Sequence, residues 1–138
     1  FPSMALFIPL IAAMGGNVGV QSAAIVVQGL ATGKSPTDSR LLPRLLKELS
    51  VALLNGAICS LVILGASLSL GYGLNLCLTV SMSLIAVIVF AALFGTFVPL
   101  TLDKLKIDPA LATGPFITTA NDIIGLIIYF GIGVLMAV

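Results

Sequence analysis

Residues 49–102 read LSVALLNGAICSLVILGASLSLGYGLNLCLTVSMSLIAVIVFAALFGTFVPLTL, 54 residues without one Asp, Glu, Lys or Arg. As a single helix this run would be about 80 Å long, at about 1.5 Å per residue, against a bilayer core of about 30 Å. It must fold back on itself. The turn chemistry in its middle is Gly71-Tyr72-Gly73-Leu74-Asn75, which divides it into spans at 48–70 and 76–100. Neither half alternates as a barrel strand would, and in lipid only helices and closed barrels satisfy every backbone polar group. The spans are therefore helical.

The same reasoning extends outward. Residues 1–33 carry no charge and hold one span, 4–32. Pro99 and Asp103 mark the end of the third span. Asp108-Pro109 then supplies an N-cap with proline at the first helical position, opening a fourth span over 109–137 with a kink expected at Pro115. The expected architecture is an all-α integral membrane bundle: one transmembrane domain over 1–138, four spans, and connecting loops at 33–47 and 101–108. Composition agrees, with 59% hydrophobic and 8% charged residues and a mean hydropathy of +1.26, where soluble domains carry roughly 25% charged residues.

Composition also excludes function classes. A net charge of +1 leaves no electrostatic footprint for nucleic acid. There is no His, which removes the commonest catalytic base and transition-metal ligand. Cys59 and Cys77 lie in apolar segments without metal-ligand spacing and read as small buried hydrophobes. With no nucleophile–base pair or cofactor motif, no enzyme is expected. Phe1 is preceded by neither Met nor a basic region, so the chain reads as a fragment or excised domain.

All six basic residues, Lys34, Arg40, Arg44, Lys47, Lys104 and Lys106, fall in or beside the first and third loops. Four spans put those loops on one side, and the positive-inside rule makes that side cytoplasmic, with Phe1 and Val138 outside. Within the first loop, residues 40–47 mix leucines with cations. That pattern suits an interfacial anchor with leucines at the lipid boundary; the competing reading is an element that a cytosolic domain could push.

Asp122 interrupts the last span. An ionised aspartate at mid-helix costs about 2.5–3.5 kcal/mol on insertion scales, and no Lys, Arg or His lies in any span to neutralise it. It is protonated, faces water, or holds an imported cation; an ion or proton pathway is the leading reading, against a neutral acid bonded between helices. Thr118, Asp122, Gly125 and Tyr129 share a helix stripe, expected to line that path. Asn121 and Thr119 lie off it and suit interhelical hydrogen bonding. In the first span, Pro9 and Gly15-Gly16-Asn17-Val18-Gly19-Val20-Gln21 should weaken the helix at mid-membrane. Gly15 and Gly19 form a GxxxG packing pair, while Asn17 and Gln21 share a face and tilt the reading toward a pore. Oxygen ligands without soft-metal clusters favour a hard divalent cation. Two carboxylates across a symmetric dimer would suit Mg²⁺, which keeps several waters.

ALFIPLIAAMGGNVGVQSA in the first span, LLKEL at the end of the first loop and KIDPALATGPFITTANDIIGLIIYF in the last span together resemble the MgtE magnesium channel family, over nearly the whole chain. The resemblance implies a homodimeric Mg²⁺ pore in the plasma membrane with five spans per subunit, of which this chain would hold the second to fifth. It implies that Asp122 binds the bound and transported Mg²⁺ largely through water, assisted by the backbone carbonyl of Thr118. Asn17 would lie in the glycine-asparagine motif beside the pore. Asp108 would share regulatory Mg²⁺ with a soluble region comprising an N-terminal domain and a CBS pair, both absent from these residues. Some members carry a second Asn where this sequence has Val20 and Thr where it has Ala24, which bears on the polarity of the first span's pore face. Competing readings are a proton-coupled divalent-cation transporter, for Mn²⁺ or Co²⁺ for example, and a non-transporting membrane assembly subunit.

Overall fold

The computed structural model describes residues 2–33 and 41–136, and every described segment of regular structure is helical. Four long helices follow in order: α1 (Ile8–Ala31), α2 (Leu41–Ser69), α3 (Leu74–Lys104) and α4 (Pro115–Leu135). Short 3₁₀ turns precede α1 at Met4–Phe7 and α4 at Pro109–Ala112. All four helices are long and apolar enough to cross a membrane, and the chain is a multi-pass membrane protein.

Helix ends follow local chemistry. After α2 the amide of Gly71 bonds the Leu68 carbonyl and that of Tyr72 the Ser67 carbonyl. This paired closure requires a left-handed residue, supplied by Gly71 at φ 84°. The same closure ends α3, where Ile107 bonds back to Leu102 and Lys106 to Asp103, with Lys106 itself at φ 58°.

Three expectations are corrected. α2 begins at Leu41, so Arg44, Lys47 and Glu48 lie on a continuous helix. Pro43 is tolerated there because first-turn amides need no intrahelical partner. Lys34 and Arg40 fall outside the described residues. The glycine-rich first span is unbroken from Ile8 to Ala31; Pro9 sits in its first turn, and the glycines are absorbed by packing. The fourth span does not kink within a helix at Pro115. Asp108 caps only the 3₁₀ turn, the chain breaks at Gly114 (φ 61°), and Pro115 starts α4.

α3 is the central helix and packs on each of the others. Gly56 of α2 lies against Ile85, and the Ser60 hydroxyl donates to the Ser81 carbonyl, which fixes α2 on α3. α1 meets α3 at Gly19 and Gly95, where a Cβ on Gly95 would collide with the Gly19 carbonyl. At one end of the bundle the buried Tyr129 hydroxyl donates to the Met4 carbonyl at 3.0 Å, and Phe7 meets Tyr72 edge-on at 5.5 Å. At the other, buried Ser22 donates to Glu48 Oε1 at 2.8 Å. Helix association in lipid rests on such close contacts, since lipid tails are as apolar as leucine.

Gly95→Ala is therefore expected to force α1 and α3 apart and lower the thermal unfolding midpoint of the full-length protein in detergent, a cost of about 1–3 kcal/mol. Gly65→Ala, where a Cβ meets nothing within 4 Å, is expected to leave that midpoint unchanged or raise it.

Candidate ion pathway

In α1, Gly15, Gly16 and Gly19 each present bare backbone to a neighbour. A Cβ on Gly15 would stand 2.9 Å from Val87 of α3. One on Gly16 would stand 3.3 Å from Thr118 Cγ2 and 3.5 Å from Asp122 Oδ1 of α4. One on Gly19 would run into the Asn121 amide. Thus α4 lies on α1 as closely as backbone allows, and the acid of α4 is set directly beside Gly16.

Where the two helices diverge they enclose an open groove of about 680 Å³. Its α1 wall is Asn17, Val20, Gln21 and Ala24; its α4 wall is Thr118 and Thr119, with Gly114 and Pro115 at the entrance to the helix. Asn17, Gln21 and Thr119 are exposed, whereas Thr118 and Asp122 are half-buried. Asp122 follows Thr118 by one turn of α4 and lies beside Gly16 of α1. No hydrogen bond to its carboxylate forms among the described residues, nor is there a cluster of three or more His, Cys, Asp or Glu. A cation here would meet one carboxylate and several neutral oxygens from this chain. Such a donor set suits a hard ion that keeps part of its water.

Asn17, Thr118 and Asp122 are thus brought together between α1 and α4. Asp108 is not among them. It is exposed before α4, its Oδ1 accepting from the Ala110 amide at 2.9 Å. The expected stripe of Thr118, Asp122, Gly125 and Tyr129 is divided. Gly125 is buried against Val87 and Tyr129 is fully buried on Met4, so α4's inward line is Ile117, Asn121, Gly125, Tyr129 and Gly133. Four-residue steps drift around a helix with 3.6 residues per turn, and packing on α1 and α3 decides which edge of that stripe turns inward. Asn121 is 1% exposed, and neither of its amide atoms has a partner among the described residues; it fills the Gly19 notch by shape rather than bonding across helices. Thr119, expected off the path, forms part of the groove wall. Sequence reasoning missed Ser22 and Glu48. Hydropathy carries no signal for a serine–glutamate contact between residues 26 apart.

Comparison with known proteins accords with this arrangement. The family model for MgtE, described as a divalent cation transporter, matches residues 8–132. The magnesium transporter MgtE of Bacillus subtilis (strain 168) is 40% identical over 131 residues, covering 94% of this chain and 29% of the relative. That of Enterococcus faecalis is 39% identical over 129 residues, with 94% and 28% covered. That of Thermus thermophilus is 36% identical over 135 residues, with 97% and 29% covered. The chain spans less than a third of the length of these relatives, but the match runs through all four helices, and the chain belongs to the MgtE family of divalent cation transporters.

Proposed function

We propose that α1 and α4 form one wall of a Mg²⁺ pathway through the membrane, with Asp122 as its ion-attracting group. The observation that carries this reading is the half-buried Asp122 carboxylate, set beside the bare backbone of Gly16 and one helical turn from Thr118 in the wall of the α1–α4 groove, with no hydrogen-bond or ionic partner among the described residues. An ionised acid so placed is stabilised by water and a mobile cation. The names of the relatives point to Mg²⁺ as that cation.

The groove between α1 and α4 is open along its length on the side away from the two helices. A second copy about a two-fold axis supplies the other side and a second carboxylate, matching an ion that takes one or two carboxylates and several waters. Thr118 contributes its carbonyl and Asn17 its amide oxygen to the hydration layer. Asp108 stands near the entrance, where a soluble region of the longer polypeptide would share a regulatory ion with it. Arg44 and Lys47 at the start of α2, with Lys104 and Lys106 at the end of α3, mark the cytoplasmic side in the plasma membrane. Both described ends of the bundle near Met4 and Tyr129 then face outward.

Asp122→Ala and Asp122→Asn in the full-length protein are expected to reduce Mg²⁺ flux into liposomes by at least about tenfold, the factor equivalent to 1.4 kcal/mol of lost ion stabilisation. Undiminished flux in either would remove the carboxylate from the mechanism. Thr118→Val keeps the carbonyl and is expected to hold flux within about threefold of the parent, whereas Gly16→Val crowds Asp122 Oδ1 and is expected to approach the Asp122→Ala defect. With a pH gradient and equal Mg²⁺ on both sides, no net uptake is expected; uphill accumulation would instead establish proton coupling.

A further inference from the structure

A second groove, of about 340 Å³, is lined by α2 and α3 alone and by nothing polar. Leu45, Leu46 and Leu49 wall it on the α2 side, and Phe90, Phe94 and Phe97 on the α3 side. The rings of Phe90 and Phe94 stack at 5.5 Å and 17°, which gives the α3 wall a flat aromatic surface. Gly56 meets Ile85 and Ser60 meets Ser81, so the two helices run antiparallel. The groove therefore lies toward the end of the bundle where α2 begins and α3 finishes.

The α3 wall continues past the groove into a cation. Phe90, Phe94, Phe97, Thr101 and Lys104 are spaced alternately four and three apart and share one face of the helix. Lys104 is exposed and stands seven residues, about 10 Å, beyond Phe97; Phe90 lies about 10 Å on the other side of it. Asp103 is about 100° round the helix from Lys104, and Arg44 and Lys47 lie on the side of α2 turned away from Leu45, Leu46 and Leu49, so Lys104 is the charge that tops the groove. The polar layer between phosphate and hydrocarbon is about 5–8 Å deep in each leaflet, above about 15 Å of acyl chain. A flexible lysine about 10 Å above Phe97 is thus at phosphate level when the aromatic wall faces the upper part of one leaflet's acyl chains.

We propose that the α2–α3 groove seats one acyl chain of an anionic phospholipid from the surrounding bilayer, with the lipid phosphate held by Lys104. Two observations select that occupant. The charge at the mouth is a lysine with no acid on its stripe, which complements a phosphate and favours a headgroup of net negative charge. The walls are the wrong shape for another helix: close approach of helices in lipid needs small residues, and no residue lining this groove is smaller than leucine. The glycine and serine that let α2 approach a neighbour, Gly56 and Ser60, are already spent on α3. A polymethylene chain needs no such notch and fits between leucine and phenylalanine side chains. The site lies apart from Asp122, and its test does not involve flux.

The experiment reconstitutes the full-length protein in liposomes containing either phosphatidylglycerol or phosphatidylcholine that carries the same photoactivatable diazirine acyl chain, followed by irradiation and peptide mapping. The phosphatidylglycerol probe is expected to label Leu46, Leu49, Phe94 or Phe97 about fivefold more than the phosphatidylcholine probe, the factor equivalent to about 1 kcal/mol, which is the contribution of one lysine near an anionic surface. Lys104→Gln, a change at an exposed position, is expected to bring the two probes level at these residues. Leu61, 69% exposed on another face of α2, should be labelled equally by both probes in either protein. Equal labelling of the groove by the two probes in the parent protein means bulk lipid only and overturns the assignment. So does a headgroup preference that survives Lys104→Gln, or a groove that takes no lipid adduct while Leu61 does.

Discussion

Gly19 is where three helices meet: its carbonyl lies directly on Gly95 of α3, and its bare Cα receives the Asn121 side chain of α4. In lipid, close approach must come from shape, because burial of apolar surface gains little over contact with acyl chains. The three-helix contact at Gly19, extended by Gly15 and Gly16, fixes the separation and rotation of α1 against α4. Everything about the groove follows from that pair. A single methyl at Gly95 would have to displace the α1 backbone, whereas one at Gly19 would have to displace the Asn121 and Ile117 side chains of α4.

The same closeness sets the environment of Asp122. Because Gly16 lacks a side chain, the carboxylate occupies the space beside α1 and remains on the groove side while its chain neighbour Asn121 is wholly buried. Two adjacent residues about 100° apart on a helix therefore have opposite fates. The acid stays half-buried without a hydrogen-bond partner among the described residues, and the amide is sealed.

Span number and helical class were legible in the sequence because each depends on quantities that add along the chain: length of apolar run and count of charges. The rotation of each helix was not. Gly125 and Tyr129 share a stripe with Asp122 in projection, yet packing on Val87 and Met4 turns them inward. The run Gly15-Gly16 looked weak as a helix because propensity scales refer to water, where exposed backbone competes for hydrogen bonds; in lipid that competitor is absent. The start of α2 at Leu41 was obscured because charge marks the membrane boundary rather than the end of a helix. Arg44 and Lys47 are charged residues on a helix that continues into the apolar span.

Asn121 shows which kind of fit holds α1 and α4 together. A buried amide without a hydrogen bond costs about 1–3 kcal/mol, so a contact chosen for pairing energy would not place one there. What the amide does supply is a flat, compact knob between Gly15 and Gly19, narrower than a branched aliphatic group and rigid at its end. Thr96, also buried and unpartnered, lies next to Gly95 on the opposite side of Gly19. Ser83, further along α3, likewise keeps a buried hydroxyl unpaired among the described residues. Close packing of α1, α3 and α4 on one another, rather than pairing energy, therefore decides which polar side chains are sealed in.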